Sequence, residues 1–491
     1  MIIKQPFSGS TLPEYQQGTL IVKVRPSIGG PIGGMSIAAI AEGSLTTPGI
    51  AALSFFERGG LIKKVTALGR SRSSGQPRMM PAGTALSIMA AADSNKSDAN
   101  AGVSLVELER DQDVGELQIA LANDPNVEFV SRVPVRYLAI TGKSRIAGQK
   151  RSAASGQKAG TGVAAVPPPA STMWNLAKIE WQAARATAGF SEAQTIRVGV
   201  LDTGVDQDHP DLIGRVSGYE FVHPDFPGAS GNRDIIGHGT HVSGSIMANS
   251  ANALGINGIC TCELQVWKIF DDEADFAGFD DGYVYFVDTA MYHRALADCV
   301  DQSIDVINLS IGGQGKPDAN EKRLFENLLA NGTAVIAAMG NERQFGSPTS
   351  YPAAIPGVIA VGATSLDDKV ANFSNRGNHI SLVAPGVSIW STLPTYPGRF
   401  GFAAVPGPNG KPVQGMEQRR ETDYDSWNGT SMATPHVTAA TALLLANKEK
   451  MNPAAVRQKL MASADKTAGM NGNNFHPDYG AGRLNLLNLL T

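Results

Sequence analysis

Five short segments between residues 196 and 362 constrain this chain more than anything else in it. Residues 196–201, 264–270, 305–311, 333–338 and 358–362 are rich in Val, Ile and Ala, without alternation of apolar and polar positions. Strands covered on both faces read this way, because each face needs apolar side chains. Helical stretches at 238–248, 285–300 and 321–331 fall between them. Alternating strand and helix predicts an α/β fold in three layers, a mostly parallel sheet with helices on both faces. Ligands of such sheets bind beyond the carboxyl ends of the strands. Residues that carry chemistry are therefore sought just after strands.

The first third of the chain has a different order. Strands read at 19–25, 61–68, 103–110 and 127–138, with helices at 48–58 and 113–123. This β-α-β-β-α-β succession predicts a small α+β, ferredoxin-like domain over residues 1–140. Residues 141–173 turn to Gly, Ala, Ser and basic residues and close on Val166-Pro167-Pro168-Pro169. They read as a flexible linker ended by a stiff piece, with Lys150-Arg151 as an exposed basic pair. The α/β domain then occupies 174–491.

Four residues at strand and helix ends carry the chemical reading. Asn428-Gly429-Thr430-Ser431-Met432-Ala433-Thr434-Pro435-His436 reads as a tight turn opening into a helix. Pro435 is expected near that helix's start, where N–H groups lack intrahelical partners. Ser431 at the N-terminus would sit where developing negative charge is favoured, as a nucleophile requires. Thr430 and Ser431 as plain helix caps are the competing reading. Asp202 follows the strand at 196–201 and suits an orienting carboxylate for a histidine, or a turn cap. His238, in Gly237-His238-Gly239-Thr240-His241-Val242-Ser243-Gly244, suits a base that a carboxylate and a substrate can both approach. A metal pair with His241 is the alternative, without the Glu of a zincin motif. Asn341, after the strand at 334–338, could donate its amide to an oxyanion together with the Ser431 N–H, or serve as a turn residue.

Three motifs carry a family resemblance. Val200-Leu201-Asp202-Thr203-Gly204, the His238 to Gly244 stretch, and Gly429-Thr430-Ser431-Met432-Ala433-Thr434-Pro435-His436-Val437 are similar to those of subtilisin-type serine peptidases, the subtilases. The likeness covers 174–491. It implies that Ser431 attacks a scissile carbonyl, His238 moves the proton, Asp202 orients the imidazole and Asn341 holds the oxyanion. Ser310-Ile311-Gly312-Gly313 resembles the family's strand that pairs with substrate and forms one wall of the primary pocket. Residues 337–340 resemble the opposite wall, with Met339 where a smaller residue is more usual. The N-terminal domain then resembles a propeptide, a chaperone and inhibitor whose tail lies in the cleft. The implied function is a self-processing serine endopeptidase. A narrow-specificity processing peptidase and a catalytically silent binding protein on the same fold are the alternatives.

Two regions depart from the family pattern. Asp271-Asp272-Glu273-Ala274-Asp275 and Asp280-Asp281 put six carboxylates in eleven residues. By position, Asp280, Asp281 and Gly282 replace a substrate-contacting edge. This stretch is a solvated loop, a feature favouring basic substrates, or a calcium ligand set. Residues 395–423 are a Gly/Pro-rich insertion expected to be a long loop on the leaving-group side. Residues 249–256 resemble a calcium loop; calcium would be structural, and no cofactor is required for the chemistry.

Bulk properties exclude some classes. A net charge of −4, 18% charged residues and no long apolar run give no case for nucleic acid or membrane as partner. The expected partners are a peptide or protein substrate and the chain's own N-terminal domain, on a monomer. The three cysteines, Cys260, Cys262 and Cys299, read as structural free thiols. The Met1 end lacks a signal peptide's charged start and apolar core. That favours the cytoplasm if the chain starts there, and leaves export open if it was trimmed.

Overall fold

In the computed structural model, residues 13–25, 56, 59–69, 99–138, 173–221, 233–252, 255–278, 282–448 and 451–491 are described. The N-terminal sheet comprises β1 (Tyr15–Val24), β2 (Ile62–Ala67), β3 (Val103–Leu108) and β4 (Val127–Pro134), followed by a separate short strand, β5 (Tyr137–Leu138). The sheet order is β2-β3-β1-β4, with every pairing antiparallel. Helix α1 (Val114–Ala122) buries Val114, Leu117 and Leu121 against Leu20, Val22 and Val106. The helix expected at 48–58 lies outside the described residues except for Phe56, and the expected linker except for Met173.

The main sheet contains β6 (Arg197–Asp202), β7 (Val216–Phe221), β8 (Glu263–Lys268), β11 (Val306–Leu309), β13 (Ala334–Ala338), β14 (Ile359–Thr364) and β15 (Ile380–Pro385). The strands between them in the chain, β9 (Asp275–Gly278), β10 (Gly282–Val284) and β12 (Ile311–Gly312), belong elsewhere. The order is β15-β14-β13-β11-β6-β8-β7, all parallel. Successive residues of each strand feed two different cores, which is why the sequence shows no apolar alternation. Val200, Val306, Ile336 and Val361 face one core with α2 (His238–Met247) and α5 (Thr430–Asn447). Leu201, Ile307, Val335 and Ala360 face the other, with α3 (Thr289–Asp301) and α4 (Ala319–Ala330). All three cysteines are buried and free.

Three differences from the sequence reading have physical causes. The segment expected at 305–311 is two strands, because β12 leaves the main sheet and pairs with β5. The edge strand β7 is half exposed and carries Ser217, Gly218 and Glu220, so it lacks the apolar signature. Residues 395–423 are no loop: β17 (Arg399–Pro406) and β18 (Pro412–Arg419) form a hairpin that extends β9 and β10 into a sheet of order β18-β17-β10-β9. Its connection to α5 runs through β19 (Tyr424–Trp427), paired with β16 (Ile389–Thr392). Among the described residues no helix is long and apolar enough to cross a membrane.

Candidate active site

Asp202 ends β6 and His238 opens α2, and the two elements meet because glycine lets them. A Cβ at Gly239 would lie 2.1 Å from the Gly204 carbonyl oxygen, so only glycine permits this approach. His238 Nδ1 lies 2.6 Å from Asp202 Oδ1, and both side chains are fully buried. A carboxylate only accepts, so Nδ1 carries the hydrogen and Nε2 presents a lone pair. His238 Nε2 has no hydrogen-bond partner among the described residues.

The start of α2 is organised by Asp234, a buried residue that the sequence reading passed over. Its carboxylate accepts from Gly237 N (2.8 Å), Thr240 N (2.9 Å) and Thr240 Oγ1 (2.6 Å). It also accepts from Thr203 Oγ1 (2.7 Å), whose oxygen in turn accepts from Gly239 N (2.8 Å). One carboxylate thus takes the Gly237 and Thr240 N–H groups at the helix start and, through the Thr203 hydroxyl, ties Gly239 N to the residue after Asp202. The available signal was an Asp three residues before the glycine that precedes the helix. Arg420, from the end of the hairpin segment, is buried and donates to the carbonyls of Ile235 (2.9 Å) and Asp234 (3.3 Å).

Ser431 is the second residue of α5. Its Oγ donates to the Ser310 carbonyl at 2.9 Å, and Ser310 Oγ donates back to the Ser431 carbonyl at 3.0 Å. Pro435 corrects the expectation made for it. It is the sixth helical residue, past the turn of orphan N–H groups. What it omits is the N–H that Ser431's carbonyl would have received, and the Ser310 hydroxyl takes that place. Asn341 Oδ1 accepts from both Thr430 N and Thr430 Oγ1 at 3.0 Å. This orients the amide, leaving Nδ2 buried without a hydrogen-bond partner among the described residues.

Against this group lies the chain's own segment. β5 pairs antiparallel with β12, Leu138 opposite Ile311 and Tyr137 opposite Gly312. Val287 N donates to the Arg136 carbonyl at 3.0 Å on the other side. The Tyr137 hydroxyl donates to Glu342 Oε1 (3.2 Å), while Arg136 enters a pocket against Glu321. Burial pushes the Glu342 carboxyl up. A Cβ at Gly313 would lie 2.2 Å from the Val135 oxygen, so the segment's fit depends on that glycine. The sheet of β1–β4 rests on α3 and α4, with Gln16 Nε2 on Thr289 Oγ1 (2.7 Å) and Asn100 Nδ2 on the His293 carbonyl (2.8 Å).

Of the expected substrate residues, Ser310, Ile311 and Gly312 lie together beside Ser431 and β5. Asp280 and Asp281 lie outside the described residues. Gly282 pairs with Gly278, and the member of its strand that packs with Val135 and Tyr137 is Val284. The hairpin of β17 and β18 joins this same side, that of the residues before Leu138, and not the opposite one. Val287 and Glu321 were missed, since neither stands in a recognisable motif. Near 249–256, Asp211 is engaged by Asn252 Nδ2 (2.7 Å), Tyr424 OH (3.0 Å) and Ile256 N (3.3 Å). Among the described residues no cluster of three His, Cys, Asp or Glu is placed to hold a metal.

Comparison with known proteins identifies the family. The subtilase family model matches residues 193–482. Subtilisin E of Bacillus subtilis is 34% identical over 308 residues, covering 62% of this chain and 68% of the relative. The major intracellular serine protease of the same organism is 34% identical over 265 residues, covering 53% and 71%. Among solved structures, fervidolysin from Fervidobacterium pennivorans, a keratinolytic enzyme related to subtilisin, superposes with a TM-score of 0.61 at 23% identity. That match takes in 97% of this chain and 61% of fervidolysin, and bears on the fold alone.

Proposed function

The chain belongs to the subtilase family of serine endopeptidases, and on that premise we propose that it is a self-processing zymogen cutting peptide bonds with Asp202, His238, Ser431 and Asn341. Ser431 Oγ attacks the scissile carbonyl after rotating from its bond to Ser310 O towards His238. His238 Nε2 takes the proton and passes it to the leaving amine, while Asp202 holds the imidazole from Nδ1. Asn341 Nδ2 and the Ser431 N–H receive the oxyanion. Residues 1–140 act as prodomain: β5 lies along β12 as a substrate strand would, and inhibits by occupying that place. The β5–β12 pairing beside Ser431 is the observation that carries this reading.

The test is the mass of the purified protein over time. Self-processing produces a new N-terminus between residues 139 and 173, and Ser431→Ala stays full-length. By analogy with subtilisin, that variant loses about a millionfold in kcat. Processing that persists in Ser431→Ala sinks the assignment.

A further inference from the structure

Arg136 and Glu321 make an ion pair that is almost entirely dry. Their side chains are 2% and 0% exposed, 185 residues apart in the chain. Arg136 Nη2 lies 2.7 Å from Glu321 Oε2 and Nε lies 3.2 Å from Oε1, a two-pronged contact. Nη1 donates to the Gly315 carbonyl at 2.8 Å, and Tyr292 OH donates to Glu321 Oε1 at 3.1 Å. Glu321 stands in the first turn of α4, capped by Asp318, which is held in turn by His293 at 3.4 Å. Everything in this pocket except the arginine and its neighbours Val133 and Pro134 comes from residues 287–321.

The pocket is fixed in position relative to Ser431 by the strand pairing. Leu138 is opposite Ile311, so the next residue of a peptide in this antiparallel register falls opposite Ser310. Ser310's carbonyl is the group Ser431 Oγ touches. A peptide lying where β5 lies therefore offers to Ser431 the carbonyl of the residue after the Leu138 position. Counting back through the Leu138, Tyr137 and Arg136 positions, the Glu321 pocket takes the fourth residue before the cleaved bond.

We propose that Glu321 is a specificity-determining residue that selects substrates with arginine at the fourth position before the cleaved bond. Glu321, Tyr292 OH, the Gly315 carbonyl and the Val287 N–H all remain when a substrate replaces the chain's own segment. A neutral side chain there leaves a buried carboxylate with one hydroxyl partner, which is costly. Lysine brings charge without the planar fork, so it ranks between arginine and neutral residues.

This inference rests on the peptidase reading, and the experiment separates the two. The matured protein is given fluorogenic peptides that differ only at that position, with Arg, Lys, Gln or Leu. Arginine is expected to exceed glutamine in kcat/KM by at least about tenfold, mainly through KM. Glu321→Gln brings the four peptides within about threefold of one another while the Leu peptide is still cut. Equal cutting of all four by the wild type overturns the inference and leaves the peptidase reading standing. An arginine preference kept in Glu321→Gln also overturns it. No cutting of any peptide overturns both. If Glu321→Gln does not mature, the wild-type ranking decides alone.

Discussion

Around His238 the chain works with glycines, short side chains and backbone N–H groups; around Glu321 it works with two long charged side chains from distant parts of the molecule. In the first region the bonds join the start of α2 to Asp234, a few residues before it, and to Asp202 and Thr203 at the end of β6. In the second, the bond that matters joins residues 185 apart. The contrast follows from the role proposed for each. A proton-transfer geometry tolerates little displacement, so it is built on rigid backbone. A pocket proposed to release one arginine and accept another is built of side chains whose contact energy depends on the guest.

If that contrast holds, damage to the two regions should read out differently. Asn341→Ala is expected to lower kcat by about 10²–10³ with KM little changed, because the amide acts on charge that develops only in the transition state. Steady-state kinetics on one neutral peptide checks this. A loss below tenfold would mean another donor holds the oxyanion, and a loss confined to KM would erase the distinction from Glu321.

The same contrast explains what was legible in the sequence. Asp202, His238, Asn341 and Ser431 stand in motifs because backbone geometry needs particular neighbours, such as Gly239 against Gly204. The strands of the main sheet were legible because two-sided burial leaves an unbroken apolar signature; β7, half exposed, left none. Glu321 and Val287 gave no signal, since an ion pair between distant segments has no local spacing. The hairpin of β17 and β18 hid behind its Gly and Pro content, although Arg420 anchors its end to the carbonyls beside Asp234. Pro435 was visible, but its purpose depends on the bond between Ser310 and Ser431, which lie 121 residues apart.

Asp234→Ala probes whether the backbone at α2 needs its cap. Removing the carboxylate orphans two N–H groups and two hydroxyls, all buried. The expected cost is about 2–3 kcal/mol in unfolding free energy, read as a lower denaturant midpoint. An unchanged midpoint would show that the helix start holds by itself, and that the region around His238 does not depend on these bonds.

The smallest effect is expected where charge is exposed. Glu417, on β18, accepts from Arg399 Nη1 (3.1 Å) and Arg419 Nε (3.0 Å). Those guanidiniums, Arg419 first, hold its carboxyl below the usual range. A carboxyl lowered in the folded state adds stability that is present above its unfolded value and is lost as pH falls through the folded one. Water and salt screen this pair, so Glu417→Gln should cost under about 1 kcal/mol near neutral pH. The difference from wild type should shrink in high salt, begin to fall as pH drops below the unfolded value of about 4.3, and be gone once the folded carboxyl is protonated as well. Thermal unfolding at two ionic strengths reads it. The same variant, carried through the four-peptide series, should keep the arginine preference intact, because a solvated carboxylate outside the pocket offers a guest little that water does not. Should Glu417→Gln flatten that series as Glu321→Gln is expected to, selection would belong to the general field of the hairpin, and the buried pocket would lose its claim to it.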